Sequence, residues 1–381
     1  MLQLAQGAFT AAQVKAALHA VGGARRIAYR FAHLTKDDVF IRDITSLVQA
    51  DQGSISMDSS ADQIKRSATL TVKDDGQINW PQDRIQVYAQ LCVPPGRILA
   101  GQYSGAWVEW PQGIFLLSSP TRKYQGLNRY RDVQAYDAMQ VLTDVGFTAR
   151  CIINEGDNYV EFVKGILTDA GITKINIDPC DKTIPTWMDW SPDTSRLDVA
   201  NQLLQLINYQ TLHVDENGYF TSHPYQTPQV RPEEYVYTTD DQSVIFTGAT
   251  DTADYFSVPN TWIGVVSEPN DLYLTYTYTN DDPNSPTSTV SRGHAVTKYI
   301  DVQATDLDSL QGLVQQQASK DSMIHQVSFS TAIMPIHSYD DVYHFTHKNL
   351  GIDSKFEEQS WTMPLQAGGQ MQHVANEVVP I

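Results

Sequence analysis

The amino-acid sequence predicts an α+β fold dominated by β-structure, with two antiparallel barrels or sandwiches on either side of a helical insert. Short segments of alternating apolar and polar residues, separated by turn signals, recur before residue 135 and again after residue 236. Between them the apolar residues recur at helical spacing. The chain also has 19 tyrosines, a residue type enriched in strands. With 381 residues, 41% of them hydrophobic, it is long enough for more than one core.

The N-terminal part of the sequence predicts a short helix followed by a series of strands. An Ala-rich helix near residues 10–21 is expected to end at Gly22-Gly23. The clearest strand is DRIQVYAQLCV (83–93), in which every second residue from Ile85 onwards is apolar. We expect Pro94-Pro95-Gly96 to stop this strand and Pro111-Gln112-Gly113 to separate two later ones.

The middle of the sequence predicts helices that lead into a β-hairpin. YVEFVKGILTDAGI and SRLDVANQLLQLIN each place apolar residues on one helical face, and either Thr194 or Ser195 is in position to cap the second helix. A hairpin is expected over residues 211–223, because Asn217-Gly218 tolerates the positive φ that a tight turn requires. The apolar face of the second helix is expected to pack on this hairpin.

The C-terminal part of the sequence returns to strands. SVIFTGA, TWIGVVSE and LYLTYTYTN have the alternation of strands, and residues 280–293 are polar enough to predict an exposed, mobile loop. Asp306 is expected to cap a helix, and the chain ends in a hairpin bent at Gly368-Gly369.

These patterns predict several structural units. They are an N-terminal helical arm (1–24), a first β domain (25–135 with 208–235), a helical insert domain (136–207), a second β domain (236–303 with 321–350), and peripheral elements that comprise a helix (304–320) and a C-terminal hairpin (351–381). Two β blocks of similar size indicate an internal duplication.

Charge and composition argue against several classes of function. The chain has 26 Lys and Arg against 44 Asp and Glu, a net charge of −18, whereas phosphate binding requires a cationic surface. The arginines at 25–26 and 129–131 are too sparse for a nucleic-acid patch. No apolar run has the length of a membrane span and no secretory signal is present, so synthesis in the cytoplasm is expected. Cys92, Cys151 and Cys180 have no paired spacing, which favours three buried thiols over one disulfide.

No motif predicts a catalytic, cofactor or metal site. His337, His344 and His347 are close in sequence, but 344 and 347 point to opposite faces of a strand, so we interpret all three as surface histidines. The acidic segment 281–284 lacks the Gly and Glu of a calcium loop. The aspartate pairs at 74–75 and 240–241 are typical of turns and strand ends.

Two alternatives involve carbohydrate. Glu109, between Trp107 and Trp110, has the surroundings of a glycosidase acid, although tryptophans of a core strand explain the pattern better. This alternative is a host cell-wall glycan-degrading enzyme. The other is a carbohydrate-binding tail adhesin, in which exposed tryptophans at 107, 110, 187 or 190 would stack on sugars.

Three stretches resemble those of a known family. GIFLLSSPTRKYQGLNRYRDVQAYDAMQVL contains an aromatic-Asp pair, Tyr136-Asp137, at the start of a helix. SRLDVANQLLQLINYQTLHVDENGYF has a helix followed by a Tyr, a strand and an Asp-x-x-Gly-aromatic hairpin. MIHQVSFSTAIMPIHSYDDVYHF combines a Pro with the Tyr339–Val342 element. In these stretches the chain resembles the baseplate or tail-tip hub proteins of tailed phages, which are also found in contractile injection systems.

The resemblance implies two related antiparallel β-barrel domains, a helical insert and a homotrimer. Three copies would then form a pseudo-sixfold ring in the virion, between a hexameric tail tube or distal tail protein and a trimeric spike or fibre. The tape measure protein would be a further partner, and phage DNA would pass through an acidic lumen without specific binding. Synthesis would take place in the host cytoplasm, and lysis would belong to another protein, since residue 381 leaves no room for a hydrolase. We expect subunit contacts at exposed strand edges and around Tyr273, Tyr276 and Tyr278.

Overall fold

The computed structural model describes residues 1–21, 25–99, 102–253, 257–267, 273–302, 304, 306–323 and 325–379. The strands, in chain order, are β1 (Ile27–Leu34), β2 (Phe40–Asp43), β3 (Ser54–Asp58), β4 (Arg66–Lys73), β5 (Arg84–Leu99), β6 (Gln102–Gln125), β7 (Asn128–Tyr136), β8 (Cys151–Ile153), β9 (Ile175–Ile177), β10 (Met188–Trp190), β11 (His213–Val214), β12 (Phe220–Ser222), β13 (Tyr235–Thr238), β14 (Thr250–Ala253), β15 (Thr261–Ser267), β16 (Tyr273–Thr279), β17 (Thr297–Asp301), β18 (His325–Ala332), β19 (Val342–His347), β20 (Ile352–Pro364) and β21 (Gln370–Glu377).

Helices are fewer and mostly short. They are α1 (Ala11–Leu18), α2 (Met139–Asp144), α3 (Tyr159–Asp169), α4 (Arg196–Leu206), α5 (Thr289–Arg292) and α6 (Leu307–Asp321), and 3₁₀ turns lie at Thr45–Leu47, Ala50–Gln52 and Lys348–Leu350. The caps predicted for α4 and α6 are present, because Ser195 accepts a hydrogen bond from the Asp198 amide and Asp306 accepts one from the Ser309 amide. The predicted β-dominated, α+β character is therefore confirmed.

Most strands belong to one large sheet. Its path is β14-β18-β21-β20-β3-β4-β7-β6-β5-β1-β2, with β19 joined to β20 and β13 joined to β19. The pairings are antiparallel except that of β13 with β19. One half of the path comes from the N-terminal block and the other from the C-terminal block, and they meet where Trp361 of β20 pairs with Met57 of β3. In the described part of the chain the path has two free ends, so the division into two related barrels stays a prediction.

The large sheet encloses the principal core, to which both halves contribute. Buried residues of this core run from Val14 of α1 to Ala375 of β21. Arm residues 11–18 are part of it, because Val14, Ala17 and Leu18 of α1 are fully buried. Burial of these apolar side chains is the main favourable contribution to folding. The two halves of the sheet therefore share one interior.

The helical insert has a core of its own. Helices α2, α3 and α4 pack together with the β8–β10 pair and with the β11-β12-β9 sheet. The predicted hairpin is present, with Gly218 at a φ of +84°. The sequence assigned residues 208–235 to the first β domain. In the structure β11 and β12 pack instead in the insert, because β12 pairs in parallel with β9.

Residues 257–321 include a third, smaller unit. Strands β16, β15 and β17 form a sheet in that order, and α6 packs across one of its faces. Gly264 permits the close approach of the helix, since a Cβ there would lie 2.3 Å from Cγ2 of Val314. Helix α6 thus packs on strands that the sequence placed in the second β domain.

Three other predictions differ from the structure. Residues 280–293 were expected to form an exposed loop. Instead, four of them are fully buried and take part in hydrogen bonds with one another, with Asn260 or at the start of α5, namely Asn280, Ser285, Thr287 and Ser288. The 351–381 hairpin was expected at the periphery, but β20 lies inside the sheet because it pairs with β3, β19 and β21. The proline motifs at 94–96 and 111–113 were expected to end strands, but β5 and β6 run through them, with register shifts that accommodate the extra residues.

Candidate assembly surfaces

One free end of the large sheet carries an apolar run. In the described part of the chain β2 pairs only with β1, so its outer backbone groups are available to another strand. Val39, Phe40 and Ile41 are 61%, 58% and 45% exposed. Three consecutive exposed apolar residues on a free edge are typical of a surface that another protein covers. We name residues 39–43 the β2 edge.

The opposite free end of the path is β14. All four residues of Thr250–Ala253 are exposed, and β14 pairs with β18 on its inner side. Asp251 forms an ion pair with His325, with Nδ1 3.0 Å from Oδ1. This end is polar, whereas the β2 edge is apolar, so the two ends of the sheet present different chemistry.

A hairpin formed by the end of β6 and the start of β7 carries a basic, apolar-tipped surface. Leu127 at its turn is fully exposed and Tyr124 is 78% exposed. Arg122, Lys123 and Arg129 lie beside them, although Lys123 forms an ion pair with Asp132. In a chain with a net charge of −18 this is a local concentration of positive charge. We name residues 121–132 the β6–β7 tip.

The predicted tyrosine interface is divided between two faces of the β16-β15-β17 sheet. Tyr276 and Tyr278 pack against the core under α6, so they are not on an outer surface. Tyr273 points the other way and is 71% exposed, as is Tyr299 of β17 at 73%. Of the three tyrosines Tyr273 is therefore the most exposed, and the interface itself stays a prediction.

The insert is joined to the large sheet by a buried ion pair. Arg66 at the start of β4 donates to Glu216 in the β11–β12 turn, with Nη2 2.6 Å from Oε1, and both side chains are buried. The Ser338 hydroxyl also donates to Glu216 Oε1 at 2.6 Å. Burial raises the pKa of the Glu216 carboxyl, but the charge of Arg66 together with the hydrogen bonds from Ser338 and Arg66 outweighs burial, and the net pKa is lowered.

Beside this ion pair lies a polar cavity of about 600 Å³ between the insert and the large sheet. His213 stacks on Tyr339 at one side of it, with ring centroids 4.0 Å apart. Burial lowers the pKa of His213 to about 4, so its imidazole is neutral. Burial raises the pKa of Asp340 to about 8, even though Arg231 lies beside it. Perturbed groups in a cleft are also found in structural ion-pair networks, and the Ser338 hydroxyl that lines this cleft donates its hydrogen bond to Glu216.

Glu109 does not have the properties of a glycosidase acid. Arg30 donates two hydrogen bonds to its carboxylate, at 3.0 and 2.8 Å. These bonds lower the pKa of Glu109, whereas a general acid requires a raised pKa. Trp110 is buried in the core, and Trp107 is 45% exposed. The arrangement is that of a surface ion pair on a core strand.

The remaining predicted residues lie in separate places. Trp190 is buried and Trp187 is exposed, so Trp107 and Trp187 are the tryptophans that remain for the adhesin hypothesis. Among the described residues the three cysteines form no disulfide with one another, and Cys180 is only partly buried. In segment 281–284 the Asp282 carboxylate accepts a bond from the Asn284 amide, as in an ordinary turn.

The histidine prediction was wrong for His337. His344 and His347 are partly exposed, and His344 contacts Glu233 and Asp353. His337 lies in the loop before β19 and is fully buried. The structure places it beside His373 and Glu358 from the C-terminal hairpin. Sequence reasoning missed this group because its members are far apart in the chain, and the first and the last of them, at positions 337 and 373, are 36 residues apart.

None of the helices in the described ranges combines the length and apolarity needed to cross a bilayer. Sequence comparison identifies no relative, since no protein-family model and no curated protein matches the chain.

Several solved structures share the fold. A tail protein from Neisseria meningitidis MC58 has a TM-score of 0.61 at 12% identity, with 92% of this chain and 97% of that chain covered. The 43 kDa tail protein of prophage MuSo2 from Shewanella oneidensis has a TM-score of 0.57 at 9% identity, with 91% and 98% covered. A prophage tail protein from Listeria monocytogenes EGD-e has a TM-score of 0.56 at 12% identity, with 91% and 94% covered.

A chain of the Francisella PdpA–VgrG complex is also similar, with a TM-score of 0.54 at 9% identity over 94% of this chain and 59% of that one. These likenesses concern the fold. The chain has the fold of these phage tail proteins, which agrees with the resemblance of its sequence to tail hub proteins.

Proposed function

We propose that this protein is a structural subunit of a phage tail or a related injection device, and that it acts as a hub at the tail tip. The observation that carries the proposal is the extent of the fold likeness, which covers over 90% of this chain and of each of three tail proteins. Its role would be assembly rather than catalysis. In support, Glu109, the most suggestive acid in the sequence, is held ionised by Arg30.

The hub would be a ring of three copies. Each copy contributes two β halves, joined at β3 and β20, so three copies present six similar units to a hexameric tail tube. A spike or fibre with threefold symmetry would bind the other side. A closed ring of identical subunits requires a head-to-tail interface between two different surfaces of each copy.

The β2 edge is the surface best suited to that interface. Its apolar side chains lose contact with water when covered, and its free backbone groups gain partners. Tyr273, with Tyr299, forms a second candidate contact surface on the smaller sheet. Distal tail protein and tape measure protein would bind the faces of the ring, and DNA would pass through its acidic lumen without adhering.

The experiment is a comparison of oligomeric state between the wild type and two matched variants. Phe40→Asp places a charge on the β2 edge, and Val230→Asp places the same charge on a residue that is 71% exposed elsewhere. Light scattering after size-exclusion chromatography should give a trimer for the wild type and for Val230→Asp. Phe40→Asp should give a monomer that keeps the circular dichroism spectrum of the folded chain.

Two results would overturn the proposal. One is a wild-type protein that stays monomeric at high concentration while electron microscopy of the particle finds no threefold ring at the tail tip. The other is release of sugars from host cell wall by the purified protein, with Glu109→Gln inactive, which would instead support the glycan-degrading enzyme. Binding of the trimer to a glycan array through Trp187 would add an adhesin function.

A further inference from the structure

A cluster of metal-binding side chains lies inside the C-terminal half of the sheet. His337, Glu358 and His373 are 1%, 0% and 1% exposed, and one potential ligand atom from each lies within 4.8 Å of the others. Nδ1 of His373 is 3.2 and 3.3 Å from the two oxygens of Glu358, and Nδ1 of His337 is 3.8 Å from Oε2. Asp341 is also buried, with Oδ2 3.0 Å from His337 Nδ1.

The backbone places these groups on three adjacent segments. His373 lies on β21 opposite Trp361 of β20, and His337 and Asp341 lie in the loop between β18 and β19. A bulge in β20 follows Glu358, at the register shift between 358 and 360. Because of that extra residue, Glu358 and Trp361 both face the core although they are three positions apart.

Neighbouring hydroxyl groups orient both imidazoles. His337 Nε2 is 2.7 Å from the hydroxyl of Tyr237, and His373 Nε2 is 2.8 Å from the hydroxyl of Thr331. With Nε2 of each ring donating to a hydroxyl oxygen, Nδ1 of each carries a free lone pair toward the carboxylates. Metal-binding histidines in proteins are held in the same way by a hydrogen bond to their second nitrogen.

The charges of the cluster also favour a bound cation. Tyr343 donates a hydrogen bond to Glu358 Oε2 at 2.8 Å, which does not neutralise the carboxylate. Asp341 has a second oxygen that forms an ion pair with the α-amino group of Met1. A buried carboxylate is stabilised by a partner of opposite charge, and a cation bound in this cluster would supply one to Glu358.

We propose that Nδ1 of His337, Nδ1 of His373, the carboxylate of Glu358 and Oδ2 of Asp341 bind one zinc ion. Zinc favours four nitrogen and oxygen ligands at about 2.0–2.2 Å in a tetrahedron, which separates neighbouring ligand atoms by roughly 3.3 Å. Three of the six separations between these atoms are 3.0, 3.2 and 3.8 Å, which is close to that value. Four protein ligands and no access to solvent define a structural site, which joins the β18–β19 loop to the β20–β21 hairpin. The site lies within one chain and is independent of ring formation.

The test measures zinc directly in the purified full-length protein. Inductively coupled plasma mass spectrometry should find about one zinc ion per chain after expression in zinc-supplemented medium. His373→Gln, which retains the size and a polar end, should reduce that content at least tenfold. The matched control is His344→Gln, because His344 also contacts two carboxylates, Glu233 and Asp353, but is partly exposed. The control should retain the zinc of the wild type.

A second measurement uses the wild type alone, so it does not depend on the folding of a variant. Zinc is removed with a chelator, and ZnCl2 or CoCl2 is added back. Zinc should raise the melting temperature by roughly 5 °C or more, and cobalt should give the visible absorption bands of a tetrahedral ion. Wild-type protein that contains less than a tenth of an equivalent of zinc, and whose melting temperature does not respond to ZnCl2, would overturn the proposal. The cluster would then be a buried hydrogen-bond network.

Discussion

The ion pair between Arg66 and Glu216 is expected to fix the insert on the large sheet. Removal of either charged group should therefore lower the free energy of unfolding substantially. Glu216→Ala removes the carboxylate that accepts a hydrogen bond from the Arg66 guanidinium, and it also deprives the Ser338 hydroxyl of its acceptor. Both charged side chains are less than 5% exposed, so water does not replace the lost partner. Removing one member of a buried ion pair costs about 3–5 kcal/mol.

The assay combines melting temperature with a double-mutant cycle. For a chain of this size about 3–5 kcal/mol corresponds to a decrease of roughly 6–20 °C in the melting temperature of the affected unit. Arg66→Met with Glu216→Leu removes both charges and keeps apolar volume, so the double variant should lie within about 2 kcal/mol of the wild type. Trp361, whose ring lies 6.0 Å from the Arg66 guanidinium, provides a fluorescent report on the junction.

The pH dependence follows from the lowered pKa of Glu216. A carboxyl whose pKa is lower in the folded than in the unfolded state stabilises the fold above its ordinary pKa of 4.5. This stabilisation is lost as the pH falls through the lowered value. The difference in melting temperature between the wild type and Glu216→Ala should therefore decrease below about pH 4. If Glu216→Ala costs less than about 1 kcal/mol, or if the two single effects simply add in the double variant, the interpretation of this junction is wrong.

Three further variants test other features of the fold. Gly264→Ala should lower the free energy of unfolding of the β15–β17 unit by about 1–3 kcal/mol, because the new Cβ would clash with Val314 of α6. Thermal unfolding followed by circular dichroism measures this loss of stability. An unchanged melting temperature would contradict the packing of α6 on β15. Asp306→Ala should lower the free energy of unfolding by about 1 kcal/mol, because it removes the N-terminal cap of α6. Thermal unfolding measures this change as well, and Asp308→Ala is the control, since it leaves the cap in place. Leu127→Asp should leave the melting temperature unchanged, because Leu127 is fully exposed, and should reduce incorporation into particles if the β6–β7 tip contacts a partner.

Local signals in the sequence predicted local structure well. Ser195 and Asp306 cap helices where expected, and Asn217-Gly218 forms the turn of a hairpin, because each of these effects depends on a few consecutive residues. The same holds for the change from strand to helical periodicity near residue 136. The resemblance to tail hub proteins also rested on such short patterns, and the fold likeness agrees with it.

Features that depend on distant residues were not predicted. The 351–381 segment has the alternation of a hairpin, but alternation does not indicate which strand will pair with β20, and the partner is β3. His337 was grouped with His344 and His347 because they are neighbours in sequence, whereas the structure brings it to His373. Strand alternation alone also does not reveal that α6 packs on the face that carries Tyr276 and Tyr278.

The pairing of β3 with β20 also constrains how the protein is made. Met57 and Trp361 are about 300 residues apart in the chain, so at a synthesis rate of about 5–20 residues per second the ribosome completes β20 roughly 15–60 s after β3. During that interval β3 has an open edge, and the nascent N-terminal half cannot complete its interior. Long-range strand pairing of this kind folds slowly. Heterologous production should therefore give more soluble protein when translation is slowed or when a chaperone covers the exposed strands.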